Sequence, residues 1–367
     1  MNVLQILPDL NAGGVERTVL ETTEALVAAG HGAHVLSNGG RLVPELEAMG
    51  GVHHQVDIGS KNILSVPWRI AGVRRLIAEQ TIEIVHARSR APAWPSLFAA
   101  RAEKVPFVTT YHGIYNAKSA LKRGYNSVMA KGDVVIANSN YTSEHIIREH
   151  GTDPDKIAVV PRGVDMAIFN PNIISADKVQ LRRQSWGVPQ DAPLVLLPGR
   201  LTSWKGQAVA IEALSYLPPE THLVLLGDAQ GRDTYVEGLK TQAQNLGLSK
   251  RVHMPGHDAD VPTAYLAVDI VICPSTDPEA FGRTAAEAQA MGRPVIAADH
   301  GGAVEVVQHG VTGWRTPPGD ARALANAIER VDTLTGLATA RDRIAAQYSK
   351  TALQSAVLQI YAGLTKP

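Results

Sequence analysis

The chain has 367 residues, enough for two compact domains at roughly 100–200 residues each. Hydrophobic residues at 45% can fill ordinary cores, and charged residues at 19% exclude a disordered chain. Net charge is zero, the single cysteine Cys273 excludes an internal disulfide framework, and no stretch approaches ~18 uninterrupted apolar residues, which excludes a membrane-spanning helix. The opening Met1-Asn2-Val3-Leu4-Gln5-Ile6-Leu7-Pro8 has no basic start and only a short apolar run, so a first strand is expected there rather than a signal peptide. A soluble protein of a reducing compartment is the expectation, with Cys273 an inert thiol inside a strand.

Residues 3–7 predict a strand, followed by the loop Pro8-Asp9-Leu10-Asn11-Ala12-Gly13-Gly14. From 15 to 29 the pattern turns helical, with Val19, Leu20, Ala25 and Leu26 on one face, and residues 33–37 start a second strand. Strand, glycine-rich loop, helix and strand open a Rossmann-like half, in which loop glycines let a ligand approach the backbone. The dinucleotide fingerprint G-x-G-x-x-G is absent. Strands follow at 82–86, at 107–110 before Tyr111-His112-Gly113, at 133–137 before the helix cap Asn138-Ser139-Asn140, and at 157–160 before Pro161-Arg162-Gly163-Val164-Asp165. Residues from about 166 to 191 are mixed and polar, with Pro171 and Pro189, and read as a linker.

A second alternation begins at 194–197 and continues through the loop Pro198-Gly199-Arg200-Leu201-Thr202-Ser203-Trp204-Lys205-Gly206 into a helix. Strands recur at 222–226, 252–255, 269–273 and 294–298, with helices between them and at the carboxyl terminus. Two α/β halves with parallel sheets is the expected architecture, and ligands then bind outside the carboxyl ends of the strands. Arg200 and Lys205 lie in such a loop, where two cations can neutralise a diphosphate or simply be solvated.

The most informative stretch is 278–291, Pro-Glu-Ala-Phe-Gly-Arg-Thr-Ala-Ala-Glu-Ala-Gln-Ala-Met. It predicts a loop carrying Glu279 and a helix from Gly282 that carries Glu287. Backbone N–H groups from Gly282 to Thr284 have no helical partners and would hold a phosphate. Helical side chains slope toward the N-terminus, so Glu287 reaches the same ligand. A carboxylate beside a phosphate makes sense if it accepts hydrogen bonds from hydroxyls, which points to a nucleotide sugar. The plainer alternative is an Arg283–Glu287 pair on a helix face, worth roughly 0.2–0.5 kcal/mol.

Charge is uneven. From Lys61 to Lys131 there are 12 Lys and Arg against 3 Asp and Glu, with Lys118, Lys122, Arg123 and Lys131 clustered after His112. Such a block suggests an acidic partner; no aromatic platform or zinc-finger spacing supports nucleic acid, which leaves anionic membrane lipid. Asp153-Pro154-Asp155 and Asp258-Ala259-Asp260 sit at expected helix starts as caps, and no metal is expected.

Taken together, Gly13-Gly14-Val15-Glu16, Tyr111-His112-Gly113, Gly199-Arg200 with Lys205-Gly206, Glu279 to Glu287 as E-x7-E, and Gly302-x-x-Glu305 resemble the GT-B glycosyltransferases, specifically the retaining family numbered four. The pieces span the chain from its first loop to residue 313. The resemblance implies an α/β GT-B fold, two Rossmann-like domains facing each other across a deep cleft. An acceptor-binding domain would cover 1–170, with a C-terminal helix from about 348 to 367 packing back on it, and a donor-binding domain would cover 171–347. Arg200 and Lys205 would hold the donor diphosphate, and Glu279 would bind sugar hydroxyls with the amides of Ala280, Phe281 and Gly282. Arg283 and Thr284 would line the donor site and Glu287 would hold the ribose. Gly13 and Gly14 would let phosphate and acceptor approach, and His112 would lie beside the transferred sugar.

The implied activity is metal-independent, retaining transfer of a hexose from a UDP- or GDP-sugar to a saccharide or lipid-linked acceptor. It needs no cofactor and belongs to lipopolysaccharide or other cell-surface polysaccharide synthesis. The expected place is the cytoplasm, at the inner face of the membrane, with Lys118, Lys122, Arg123 and Lys131 toward acceptor or lipid. A sugar-nucleotide epimerase on the same scaffold and a non-enzymatic nucleotide-sugar binder remain open alternatives. One position departs from the family pattern: Arg162 stands where Pro-Asn-Gly-Val-Asp has Asn.

Overall fold

Short apolar runs become strands here because both of their faces are buried. Leu194 and Leu196 enter one core with Val224 and Val271, while Val195 and Leu197 enter another with Ile211 and Leu223. Burial on two faces is why these strands read as continuous apolar runs without alternation. Each fully buried Val, Leu or Ile contributes about 1.5–3 kcal/mol. The computed structural model describes residues 1–11, 13–60, 62–115, 117 and 119–365.

The chain divides into two units, Met1–Arg162 with Lys350–Pro367, and Gly163–Ser349. The first holds β1 (Asn2–Ile6), β2 (Gly32–Ser37), β3 (Val52–Gln55), β4 (Ile84–Ala87), β5 (Phe107–Tyr111), β6 (Val134–Ala137) and β7 (Ile157–Val159). The second holds β8 (Leu194–Pro198), β9 (His222–Leu226), β10 (Val252–Gly256), β11 (Ile270–Cys273), β12 (Val295–Ala298) and β13 (Gly313–Thr316). The sheet orders are β3-β2-β1-β4-β5-β6-β7 and β10-β9-β8-β11-β12-β13. Every pairing is parallel. In each sheet the order reverses once, between β1 and β4 and between β8 and β11, and ligands of open α/β sheets bind outside the carboxyl ends of the strands at such a reversal.

The division falls at Arg162/Gly163, not near residue 170. Residues 166–191, expected as a linker, are part of the second unit: Phe169, Trp186 and Val188 enter its core, and the helix Ala176–Ser185 lies between them. That helix buries none of its own side chains, so no apolar period announces it. Half-buried Val179 packs against the core, and polar contacts add to it: Arg182 pairs with Asp258, and Arg183 donates to the Ala267 carbonyl at 2.9 Å. The edge strand β3 also lacks an apolar run, since it carries two histidines and is half-exposed.

The helix Lys350–Leu364 belongs to the first unit, where Leu353, Val357 and Tyr361 pack with Val3, Ile84 and Val108. A buried polar chain fixes it there. The Tyr361 hydroxyl lies 2.6 Å from His86 Nδ1, and His86 Nε2 lies 2.7 Å from the Thr110 hydroxyl. Burial, then the charges of Arg88 and His112, hold the His86 pKa well below its ordinary 6.5, so the imidazole stays neutral. Burial pushes the Tyr361 phenol up to about 12.

Two outcomes follow. Tyr361→Phe leaves a buried imidazole nitrogen unpaired and should cost about 1–3 kcal/mol in urea denaturation; an unchanged midpoint would show that the bond contributes nothing. Because His86 is depressed in the folded state, the unfolded chain takes up the proton first as pH falls. Stability should be level above about pH 7 and decline below about pH 6.5, by up to about 1.4 kcal/mol per pH unit for each such histidine. Stability that rises on mild acidification would contradict a neutral buried imidazole.

Candidate functional site

In the second unit the loops after β8 and β11 meet at the switch point. Gly206 has φ +79°, and a side chain there would strike the Pro274 carbonyl, so the two loops touch through a position only glycine tolerates. Thr276 N–H donates to the Trp204 carbonyl at 2.8 Å, which ties them again. This packing brings Lys205 Nζ to 2.9 Å from Glu279 Oε1, with both side chains about 15% exposed or less (14% and 15%). The Ser275 hydroxyl donates to the same oxygen at 2.6 Å, and the Lys205 ammonium lies 4.6 Å from the centre of the Trp204 ring. Removing one member of so enclosed a pair leaves a charge without compensation.

The Glu279 loop is fastened on its far side too. Gly302 N–H donates to the Glu279 carbonyl at 2.7 Å, and His300 Nε2 lies 2.8 Å from the Ser275 carbonyl. A carbonyl can only accept, so His300 carries its proton on Nε2. Glu287 sits on the helix Arg283–Ala290, where the Arg283 Nε donates to Oε1 at 2.7 Å and the Tyr265 hydroxyl to Oε2 at 3.0 Å. The Arg283–Glu287 pair therefore forms. Burial and the neighbouring Glu287 carboxylate push the Tyr265 phenol well above its ordinary value, so it remains a donor.

Gly282 caps this helix at φ +94°, and the first helical N–H groups have no partner within the helix. Phe281 is buried, Ala280 and Thr284 are half-buried, and Arg200 is exposed and makes no ion pair among the described residues. Ser275, Tyr265 and His300 carried no signal in the sequence, because their role depends on which loops meet.

Cys273 is buried in β11, and burial raises its thiol pKa, so it is not a nucleophile. Asp153 caps a short turn through Asp155 N–H. Asp260 caps the helix Val261–Leu266 and pairs with Lys178 at 2.8 Å, while Asp258 pairs with Arg182.

In the first unit, Gly13 and Gly14 start the helix Gly14–Ala28 after β1, and His112 follows β5. Arg162 NH2 donates to the His112 carbonyl at 3.2 Å and lies 3.5 Å from its Nδ1. Arginine cannot accept, so Nδ1 is the bare nitrogen and Nε2 carries the proton. That Nε2 is buried with no hydrogen-bond partner among the described residues. Burial and the charges of Arg162 and Arg88 hold the His112 pKa well below 6.5.

Four arginines of the basic block are ion-paired. Arg74 pairs with Glu103, Arg75 with Glu79, Arg101 with Asp133, and Arg123 with Glu149. Lys122 and Lys131 are exposed, and Lys118 lies outside the described residues. Among the described residues no helix is long and apolar enough to cross a membrane.

The chain is similar to known proteins in sequence and fold. Residues 179–348 match the family described as Glycosyl transferases group 1, and residues 12–168 match Glycosyltransferase Family 4. The chain is 34% identical over 318 residues to the D-inositol 3-phosphate glycosyltransferase of Xylanimonas cellulosilytica, an overlap of 81% of this chain and 76% of that one. It spans about half the length (54%) of Mycobacterium tuberculosis relatives of the same name, at 31% identity. A glycosyltransferase structure from Rickettsia africae superposes with TM-score 0.93 at 35% identity, over 100% of this chain and 98% of that one. Anabaena HepE, solved with UDP and glucose, superposes with TM-score 0.84 at 28% identity over 99% of each chain. The chain is a glycosyltransferase of group 1, family 4, with the two-domain Rossmann-like GT-B fold of that family.

Proposed function

We propose that this enzyme moves a hexose from a UDP-sugar to a hydroxyl of a saccharide or lipid-linked acceptor, with retention of configuration and without a metal. The observation that carries the reading is the enclosed Lys205–Glu279 pair beside the helix start at Gly282. It sets a cation, a hydroxyl-binding carboxylate and unpaired amides side by side. A nucleotide sugar offers each of them a matching group. Anabaena HepE has been solved with UDP-glucose, which favours a uracil base over guanine.

In this reading Arg200 and Lys205 hold the diphosphate and stabilise the charge that develops on the leaving nucleotide. Fixed cations do this well because they need no reorganisation as the bond breaks. Glu279 accepts from hydroxyls of the sugar, with the amides of Ala280, Phe281 and Gly282 beside it. Glu287, oriented by Arg283 and Tyr265, accepts from the ribose, and Thr284 lies at the phosphate end. Retention follows from attack on the face that the nucleotide leaves, within an ion-pair-like state. From the first unit, the Nε2–H of neutral His112 is a donor for the transferred sugar, and Gly13 and Gly14 leave room for phosphate and acceptor. Cell-surface polysaccharide, lipopolysaccharide included, is the proposed destination of the sugar.

A second reading concerns the place of reaction. Leu121 is 87% exposed next to exposed Lys122, an apolar and cationic combination suited to peripheral contact with anionic lipid at the cytoplasmic membrane face. Sedimentation with phosphatidylglycerol vesicles should carry down the wild type and spare a Leu121→Ser, Lys122→Ser variant; equal sedimentation of both would remove this reading.

The donor site is tested by thermal shift with UDP-, GDP- and ADP-sugars. UDP-sugars should raise the melting temperature of the wild type but not of Arg200→Ala, Lys205→Ala or Glu287→Ala. Without ligand, Arg200→Ala should melt like the wild type because its side chain is exposed, whereas Lys205→Ala should melt lower by about 3 kcal/mol of stability. Proton NMR of the product separates retention from inversion. Stabilisation by no nucleotide sugar would defeat the donor assignment. Binding with sugar release but no acceptor transfer would favour the epimerase.

A further inference from the structure

A groove of about 790 Å³ opens on the first unit between the edge strand β3 and the helix Val66–Glu79. On that helix Trp68, Gly72 and Leu76 follow at a four-residue spacing, so they share the face that lines the groove. Trp68 is 74% exposed, whereas the other four tryptophans of the chain are buried or half-buried. Gly72 stands one turn beyond it, and no atom lies within 4 Å of where its Cβ would be, so the groove is open beside the indole. Polar groups join the lining from the end of β3 and the loop that follows: Gln55, Asp57, Ser60 and Asn62. Arg69 fixes that loop, because its guanidinium donates to the Ile58 carbonyl at 2.9 Å and to the Asn62 carbonyl at 3.0 Å.

The groove therefore presents an aromatic face among hydrogen-bonding groups that are mostly neutral. The Arg69 guanidinium is turned to carbonyls, and Arg75 stands 3.9 Å from Glu79 in an ion pair. His53 Nε2 lies 2.8 Å from the Ser37 hydroxyl, and His54 Nε2 lies 3.0 Å from His34 Nδ1. Burial holds both imidazole pKa values below the ordinary 6.5, so the two are neutral at pH 7. Asp57 adds a carboxylate that can accept from hydroxyls. Anionic lipid would need free cations here, and both arginines of the lining are engaged. A sugar chain matches each part instead: its C–H faces pack on an indole, and its hydroxyls bond to amides, hydroxyls and a carboxylate.

We propose that this groove is a saccharide-binding subsite, which holds part of an extended acceptor away from its reacting hydroxyl. The assignment rests on the glycosyl-transfer reading and makes the acceptor a chain of several neutral sugars. Its position fits that role. Gln55 Nε2 donates to the Asn38 carbonyl at 3.3 Å, and Asn38 N–H donates to the Pro8 carbonyl at 2.9 Å. The ends of β3, β2 and β1 thus form one rim that leads to the loop of Gly13 and Gly14. Neighbouring strands lie about 4.8 Å apart, so β3 is roughly 10 Å from β1, a span that a short oligosaccharide covers.

Calorimetry on the full chain tests this with maltohexaose, cellohexaose and mannohexaose, each against its monosaccharide. At least one hexasaccharide should bind about tenfold more tightly than its monosaccharide. Trp68→Ala removes the platform and Gly72→Gln fills the groove, and each should weaken that binding about tenfold. Both variants should melt no lower than the wild type, since Trp68 is exposed and glycine is the poorer helix former at residue 72. With the bound hexasaccharide as acceptor, KM should rise about tenfold in both variants while KM for the donor stays level; no transfer to it, or an unchanged KM, overturns the acceptor role. Binding of none of the three, or binding that survives both substitutions, overturns the subsite. Pelleting with phosphatidylglycerol vesicles that Trp68→Ala abolishes, with no saccharide bound, would give the face to lipid. Loss of the UDP-induced thermal shift with saccharide binding intact would strike the donor assignment and not the groove.

Discussion

Both sheets are parallel and buried on both faces, and that constraint decides where chemistry can occur. Apolar side chains fill most positions above and below the central strands, the polar ones there such as His86 and Thr110 are tied to partners, and the remaining polar groups gather at the strand ends. The sheet order reverses between β1 and β4 and again between β8 and β11, and in the second sheet the loops after β8 and β11 meet at that reversal. Gly14, Arg88, Gly199, Arg200, Glu279 and Glu287 all follow these four strands. The helix Lys350–Leu364 closes the apolar back of the first sheet through Tyr361 and His86, which keeps the carboxyl edge as its polar side.

The two edges solve their electrostatics differently. In the second unit, cations and carboxylates are matched: Lys205 with Glu279, Arg283 with Glu287. Each carboxylate also accepts from a neutral hydroxyl, Ser275 or Tyr265, so its oxygens are held at fixed positions. A ligand with both phosphates and hydroxyls can be bound by such a mixed set, because each charge finds an opposite or a donor. In the first unit, Arg88 and Arg90 are steadied by amides, hydroxyls and a ring, and His112 is kept neutral beside Arg162.

Much of this was legible in the amino-acid order. The apolar runs at 194–197 and 270–273 announced central strands because burial on both faces leaves no polar position to blur the signal. Gly282 and Glu287 announced a helix start and its second turn because capping and helical spacing are local. Asp153 and Asp260 were readable as caps for the same reason. The Arg283–Glu287 pair was visible as an alternative, since partners four residues apart need only a helix to meet.

What the sequence by itself determined was therefore the central strands, the helices with an apolar period and the residue types gathered at strand ends, since these depend on short-range periodicity and backbone preference. Tertiary structure decided the rest. Only folding set Lys205 against Glu279, 74 positions apart in the chain, and placed Ser275 and Trp204 around them. Only folding carried the polar helix Ala176–Ser185 into the second unit, because its anchors, Asp258 and the Ala267 carbonyl, lie far along the chain. Only folding put Arg162 against Gly14 and His112. Contacts between distant segments depend on which loops meet at a reversal of strand order, and no local pattern encodes that meeting.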